Sequence, residues 1–210
     1  MIKLLFTRHG QTIRNVDGTI QGQEHGDLNE KGTEQIKKLA ERLKDEKIDL
    51  IISSDSLRCK ITSKGATEDK ELDIEYTSLI REKDNGDWAG KKIKEVNWDE
   101  LKGDFESRKV SNGESLIEVR ERGRKFIKEL YEKYKDFDTT ILIVSHGAFL
   151  KILLGDLIGT SLKDSVFKLF IDHCSLTLVE FVDLDNYQIK YLNETEFLGD
   201  SRNWIEFPGE

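Results

Sequence analysis

The chain has 210 residues, 37% hydrophobic and 35% charged, with one proline and a formal net charge of −8. That length supports a sizeable core, and so charged and proline-poor a composition argues against disorder or low complexity. An acidic balance without a run of Lys or Arg argues against nucleic acid as a partner, and no apolar stretch reaches the length of a membrane span.

Residues 2–7 (Ile-Lys-Leu-Leu-Phe-Thr) predict a strand that runs directly into Arg8-His9-Gly10. The run is too short for a signal peptide, so the chain reads as cytoplasmic. An imidazole and a guanidinium at the C-terminal tip of a strand occupy the place where open α/β sheets hold ligands. The pair suits phosphate: one group attacks phosphorus while the other neutralises oxygens. In the following loop, Asn15 and Gln21-Gly22 are placed to donate amide hydrogens to an oxyanion, or else to shape turns. Glu24 and His25, in the same loop, are candidates for substrate contact.

Asn29 is a good N-cap, and Ile36, Leu39, Ala40 and Leu43 follow at helical spacing. Residues 48–53 predict a second buried strand, and Ser54 to Lys64 a helix with Arg58 near its start, where a guanidinium and a helix N-terminus meet an anion together. Leu72 to Tyr76 predicts a short strand leading to Ile80-Arg81-Glu82; Glu82 is a candidate proton donor. Residues 83–113 are irregular, with two tryptophans, no proline and no tyrosine. They read as a lid in which Trp88, Trp98, Phe105, Lys91, Lys92, Lys94, Arg108 and Lys109 are candidates to select substrate.

Gly113-Glu114-Ser115 opens a long helix whose apolar face is Leu116, Val119, Phe126, Ile127, Leu130 and Tyr134. Thr139 to Ser145 predicts a central strand ending at His146-Gly147, and Phe149 to Leu157 a helix. Residues 174–182 alternate as an antiparallel or edge strand, with 187–192 as its pairing partner. His173, just before that strand, is placed to reach the edge of the site, but a structural role is the simpler reading. Cys59 and Cys174 fit no metal spacing and read as two reduced thiols. The fold class is therefore α/β, a three-layer αβα sandwich with a mainly parallel central sheet. Residues 1–210 read as a single domain carrying 83–113 as an insertion.

Two of the four histidines thus follow strands and precede glycines, and a parallel sheet would bring both to one edge. Together with Arg58 and Glu82 between them, they form a far more specific pattern than either alone. Arg8-His9-Gly10-Gln11-Thr12 with Asn15, Ser53-Ser54-Asp55 before Arg58 and Thr62, Arg81-Glu82 with Gly86-Asp87-Trp88-Ala89-Gly90, and Val144-Ser145-His146-Gly147 occur in that order. This series resembles the signature of the histidine phosphatase superfamily, the phosphoglycerate mutase-like family, over residues 2 to about 182.

The resemblance implies a phosphomonoester hydrolase that needs neither metal nor cofactor. His9 would be the nucleophile and Glu82 the general acid and then base. Arg8, Arg58 and His146 would hold the phosphoryl oxygens, with Asn15 and the Gly147 amide supporting them. The implied partner is a small phosphorylated metabolite, and the chain a monomer or homodimer. The alternatives are a cofactor-dependent phosphoglycerate mutase, against which the composition of 83–113 speaks, and a non-catalytic binder of phospho-ligands. Arg14, the His25-Gly26-Asp27-Leu28 loop, Ser56, Cys59 and Asn85 depart from the family pattern and are expected around the mouth of the site.

Overall fold

In the computed structural model, which describes residues 1–24 and 26–201, strands and helices alternate along most of the chain. They are β1 (Ile2–Arg8), the single turn α1 (Ile13–Val16), α2 (Glu30–Leu43), β2 (Leu50–Ser54), α3 (Leu57–Ala66), β3 (Ile74–Thr77), α4 (Leu116–Tyr134), β4 (Thr139–Ser145), α5 (Gly147–Ile158), α6 (Leu162–Lys168), β5 (Leu176–Phe181) and β6 (Tyr187–Glu194). The sheet order is β3-β2-β4-β1-β5-β6. The first four strands of that order are mutually parallel, and β5 and β6 are antiparallel additions.

Alternation along the central strands divides the core in two. Leu4, Phe6, Ile141 and Ile143 face one side and pack with Val119, Phe126, Phe149 and Leu153 from α4 and α5. Leu5, Leu142 and Val144 face the other and pack with Ile36, Leu39, Leu43 and Cys59 from α2 and α3. Two helical layers on one sheet make the expected αβα sandwich. Ends are fixed locally: the Gly32 amide donates to the Asn29 side chain at 2.7 Å, and Ser115 with Glu118 forms a capping box at the start of α4.

Three sequence expectations change, and one helix is unforeseen. The strand predicted over 174–182 begins at Leu176 and is no edge, because β1 and β6 flank it. Cys174, at φ 57°, makes the left-handed turn that delays its start. The helix predicted from Ser54 begins at Leu57, since Ser54 still belongs to β2 and Ser56 is the N-cap. Finally, α6 carries little apolar periodicity and was not expected from the sequence. Cys59 and Cys174 are both free and buried, and burial pushes the Cys59 thiol up to about 12. The segment between β3 and α4 contains only short 3₁₀ turns, at 86–88, 93–95 and 98–100.

The loop after β1 lies directly on the first turn of α2. A Cβ on Gly10 would sit 2.8 Å from the Gly32 carbonyl oxygen, and one on Gly32 would overlap the Gln11 carbonyl. Both obstacles are backbone, which cannot rotate away. Gly32→Ala is therefore expected to lower unfolding free energy by about 2–3 kcal/mol in urea titration. An unchanged midpoint would mean that the loop can lift away from the helix freely.

Candidate active site

The parallel pairing of β1 with β4 places Arg8 opposite Ser145 in register, so the next residues, His9 and His146, emerge side by side. Their ring centroids are 5.3 Å apart. β2 lies on the other side of β4 and delivers Ser54, Ser56 and, from the first turn of α3, Arg58. The sheet edge therefore assembles the residues that the sequence separates by up to 138 positions (146 − 8).

Hydrogen bonds fix the tautomers. His9 is 2% exposed, and its Nδ1 lies 2.8 Å from the Gly10 carbonyl, which can only accept. The proton is thus on Nδ1, and the Nε2 lone pair accepts from Arg58 Nε at 3.2 Å. Burial pushes the His9 pKa well below its ordinary value, and Arg58, His146, His173 and Arg8 push it further in the same direction. A neutral imidazole with Nε2 aimed into a cationic pocket is what nucleophilic attack on an anion requires.

Arg58 is almost wholly buried and donates to four groups. Besides His9 they are the carbonyls of Gly22 and Glu24, each at 2.7 Å, and His146 Nδ1 at 3.0 Å. Because that last bond makes His146 Nδ1 an acceptor, the His146 proton lies on Nε2 and is donated to Ser54 Oγ at 2.9 Å. Arg8 donates from Nη1 to the Ile171 carbonyl at 2.8 Å, while its buried Nε has no protein partner among the described residues. A Cβ on Gly147 would come within 3.0 Å of the Arg8 Cζ, so glycine leaves room for the guanidinium to lie across the start of α5. An orphaned cationic donor beside a nucleophilic imidazole fits an anion.

Glu82 sits at the N-terminus of α5. Its Oε1 accepts from the Lys83 and Phe149 amides at 2.9 and 3.0 Å, and Oε2 from the Ala148 amide at 3.2 Å. The loop that carries it is strapped by Arg122, which donates to the carbonyls of Leu79 and Arg81, both at 2.9 Å, and pairs with Glu114. Arg81 itself is held by Asp55 in a two-pronged ion pair.

Not every predicted side chain points inward. Asn15 accepts from the Thr12 amide and hydroxyl with its carbonyl oxygen, bracing the turn after His9. Gln21 is buried beside Gly26, and Gly22, at φ 51°, offers its carbonyl to Arg58. The Glu24 carboxylate is taken by Arg14 at 2.7 Å on the surface. His25 lies outside the described residues. Lys92 pairs with Asp17, whereas Trp88, Trp98, Phe105, Arg108 and Lys109 line a cavity next to Glu82. Ser56 and Cys59 were expected at the mouth and instead touch His146 Nε2, both at 3.4 Å.

Of the two sequence readings of His173, the structure favours the one at the site, beside His9. Antiparallel pairing brings the start of β5 to the C-terminal end of β1. There His173 Nδ1 donates to the His9 carbonyl at 2.9 Å, with the two rings 5.3 Å apart. Only the strand order reveals this, since 164 positions separate the pair (173 − 9). Arg122 was missed for the same reason, and Ser54, although part of the Ser53-Ser54-Asp55 motif, was given no role.

Comparison with known proteins agrees with this geometry. Residues 4–195 match the model of the histidine phosphatase superfamily (branch 1). A phosphoserine phosphatase 1 from Hydrogenobacter thermophilus is 31% identical over 207 residues, covering 95% of this chain and 96% of that protein. A probable phosphoglycerate mutase GpmB from Salmonella arizonae is 30% identical over 190 residues, covering 86% of each. The structure of a mutant phosphoserine phosphatase from Entamoeba histolytica in complex with phosphoserine superposes with a TM-score of 0.82. It is 27% identical and covers 94% of this chain and 100% of that one.

Burial lowers the pKa of His146 and His173 as well as His9. Unfolding returns each to about 6.5, so below that pH the unfolded chain binds more protons and stability falls on acidification. Each histidine adds about 1.4 kcal/mol per pH unit to that slope. Urea unfolding between pH 7 and 5 is expected to show it, and His173→Asn should flatten it by one histidine's share. Parallel profiles for the two proteins would contradict the neutral burial of His173.

Proposed function

The chain belongs to the histidine phosphatase superfamily, branch 1, and from that premise we propose that it hydrolyses a small phosphorylated metabolite through a phosphohistidine on His9, without a metal ion. The observation that carries the proposal is the His9 tautomer: Nδ1–H is tied to the Gly10 carbonyl, and Nε2 faces Arg58, with the charge of Arg8 also disfavouring a proton on the ring.

In the first half-reaction, His9 Nε2 bonds to phosphorus as the ester P–O bond breaks. Glu82 gives a proton to the departing oxygen. In the second, Glu82 takes a proton from water, which attacks phosphorus, and the N–P bond breaks to release inorganic phosphate. The resting bond from Arg58 Nε occupies the lone pair that must attack, so substrate binding has to draw that donor onto a phosphoryl oxygen. The orphaned Arg8 Nε takes another oxygen. The two guanidiniums supply charge that a divalent cation supplies elsewhere. Among the described residues no cluster of three His, Cys, Asp or Glu side chains has the arrangement of a metal site.

The segment 83–113 acts as a lid over this pocket, within one domain spanning 1–210. Two buried free thiols suit a reducing cytoplasm, and no helix among the described residues is long and apolar enough to cross a membrane. His9, Glu82 and His146 together favour catalysis over mere phospho-ligand binding.

With p-nitrophenyl phosphate, His9→Ala is expected to reduce turnover to background, while EDTA leaves the wild-type rate unchanged. Strong EDTA inhibition would remove the metal-free mechanism. Glu82→Gln should lower kcat/KM, which reports only the steps up to release of the alcohol, by about 10²–10⁴-fold on an alkyl phosphate, with a smaller loss on p-nitrophenyl phosphate, whose leaving group needs no proton. Equal losses on both would remove Glu82 as the acid. With 3-phosphoglycerate and a bisphosphoglycerate primer, phosphate release is expected; efficient conversion to 2-phosphoglycerate would favour the mutase.

A further inference from the structure

Beside Glu82 the inserted segment, α5 and α6 enclose a cavity of about 430 Å³. Two lining residues join it to the proposed acid: the amides of Lys83 and Ala148 both donate to the Glu82 carboxylate. The cavity therefore begins on the side of Glu82, where the leaving alcohol of a phosphomonoester would lie.

Its walls are chemically one-sided. Trp88 and Trp98 meet edge to face with centroids 5.0 Å apart, and Phe105 and Phe167 lie 5.4 Å apart. Trp98 and Phe167, which both line the cavity, are 52% and 64% exposed, an uncommon state for large aromatic side chains. Arg108 extends the aromatic wall by stacking on Phe105, 5.2 Å from its ring centre. Lys109 is already paired with Glu118 at 2.6 Å. Among the described residues, none that lines the cavity carries a carboxylate; that of Glu82 stands at its edge.

Those features discriminate between leaving groups. An amino-acid phosphate would bring an α-carboxylate that Lys83 or Arg108 can pair with, but its ammonium would lose its hydration with no carboxylate beyond the proposed acid, Glu82, to replace it. A three-carbon alcohol would leave most of a ligand-sized space unfilled. A ring-bearing apolar alcohol would fill it, stack between aromatic faces and bring no cation.

We propose that this cavity is the leaving-group site for phosphomonoesters of bulky, ring-bearing apolar alcohols, and that it disfavours phosphoserine. The proposal rests on the phosphomonoesterase reading above and extends it to a substrate class.

Binding separates the two readings, because it does not need turnover. With the His9→Ala chain, calorimetry should show 1-naphthyl phosphate binding at least tenfold more tightly than O-phosphoserine. Adding Trp98→Ala and Phe167→Ala, both at exposed positions, should lower that preference about tenfold. Phe167→Ser alone should move it in the same direction, and provides a check if the double change perturbs folding. In steady-state assays of the wild-type enzyme, the same ranking is expected in kcat/KM. Equal or tighter phosphoserine binding, or a preference indifferent to the aromatic substitutions, would overturn the cavity assignment even if His9-dependent turnover persists. Persistent naphthyl preference in binding with no His9-dependent turnover of either compound would instead overturn the phosphatase reading and leave the cavity assignment standing.

Discussion

The Arg58 guanidinium is the interaction on which the site depends. It is almost wholly buried, and among the described residues none of its hydrogen-bond partners is a carboxylate. Instead it is held by two carbonyl oxygens and the lone pairs of two imidazoles. Removing a cation from water into such a shell costs several kcal/mol that carbonyls and neutral rings only partly offset. The shell in return determines chemistry. A proton on the lone pair of either His9 Nε2 or His146 Nδ1 would point at the guanidinium, so both rings stay neutral with their remaining protons directed elsewhere. One buried cation thereby sets two tautomers.

Sheet topology explains how so few residues suffice. Three parallel strands end at one level, and each contributes its next residues: Arg8-His9, His146 and the Ser54-to-Arg58 turn. The antiparallel β5 starts where β1 ends, which is why a fourth direction contributes His173. Glu82 comes from no strand end, and its position is secured differently. Its carboxylate caps α5 while Arg122 gathers the preceding carbonyls, so helix α4 fixes the loop that α5 receives.

The sequence shows clearly what is encoded by neighbours. Apolar runs ending in His-Gly, the Asn29 cap and the Leu116-to-Leu130 stripe are local patterns, and each corresponds to an observed strand or helix. What depends on register is not legible in the same way. His173 looks like any residue before a strand until β5 is placed beside β1, and Ser56 and Cys59 look peripheral until α3 turns them against His146. Asn15 was legible as a residue near the site but not in its orientation, because its carbonyl is claimed by Thr12, three residues earlier in the same turn. Long-range pairing decides such cases, and a single chain read in order does not display it.

On the proposed reading, the chemistry and the choice of substrate come from different parts of the chain. The phosphoryl pocket is built from strand ends and the buried Arg58, whose packing tolerates little change. The cavity is built mainly from the irregular insertion and from α6, where exposed aromatics can be exchanged with small effect on the core. Lys83 and Ala148 belong to both, because their backbone amides hold Glu82 while the residues themselves line the cavity. Amide bonds do not depend on side-chain identity. The contact between acid and leaving group can therefore persist while the surrounding side chains vary, which allows one phosphate site to serve leaving groups as different as an amino acid and an aromatic alcohol.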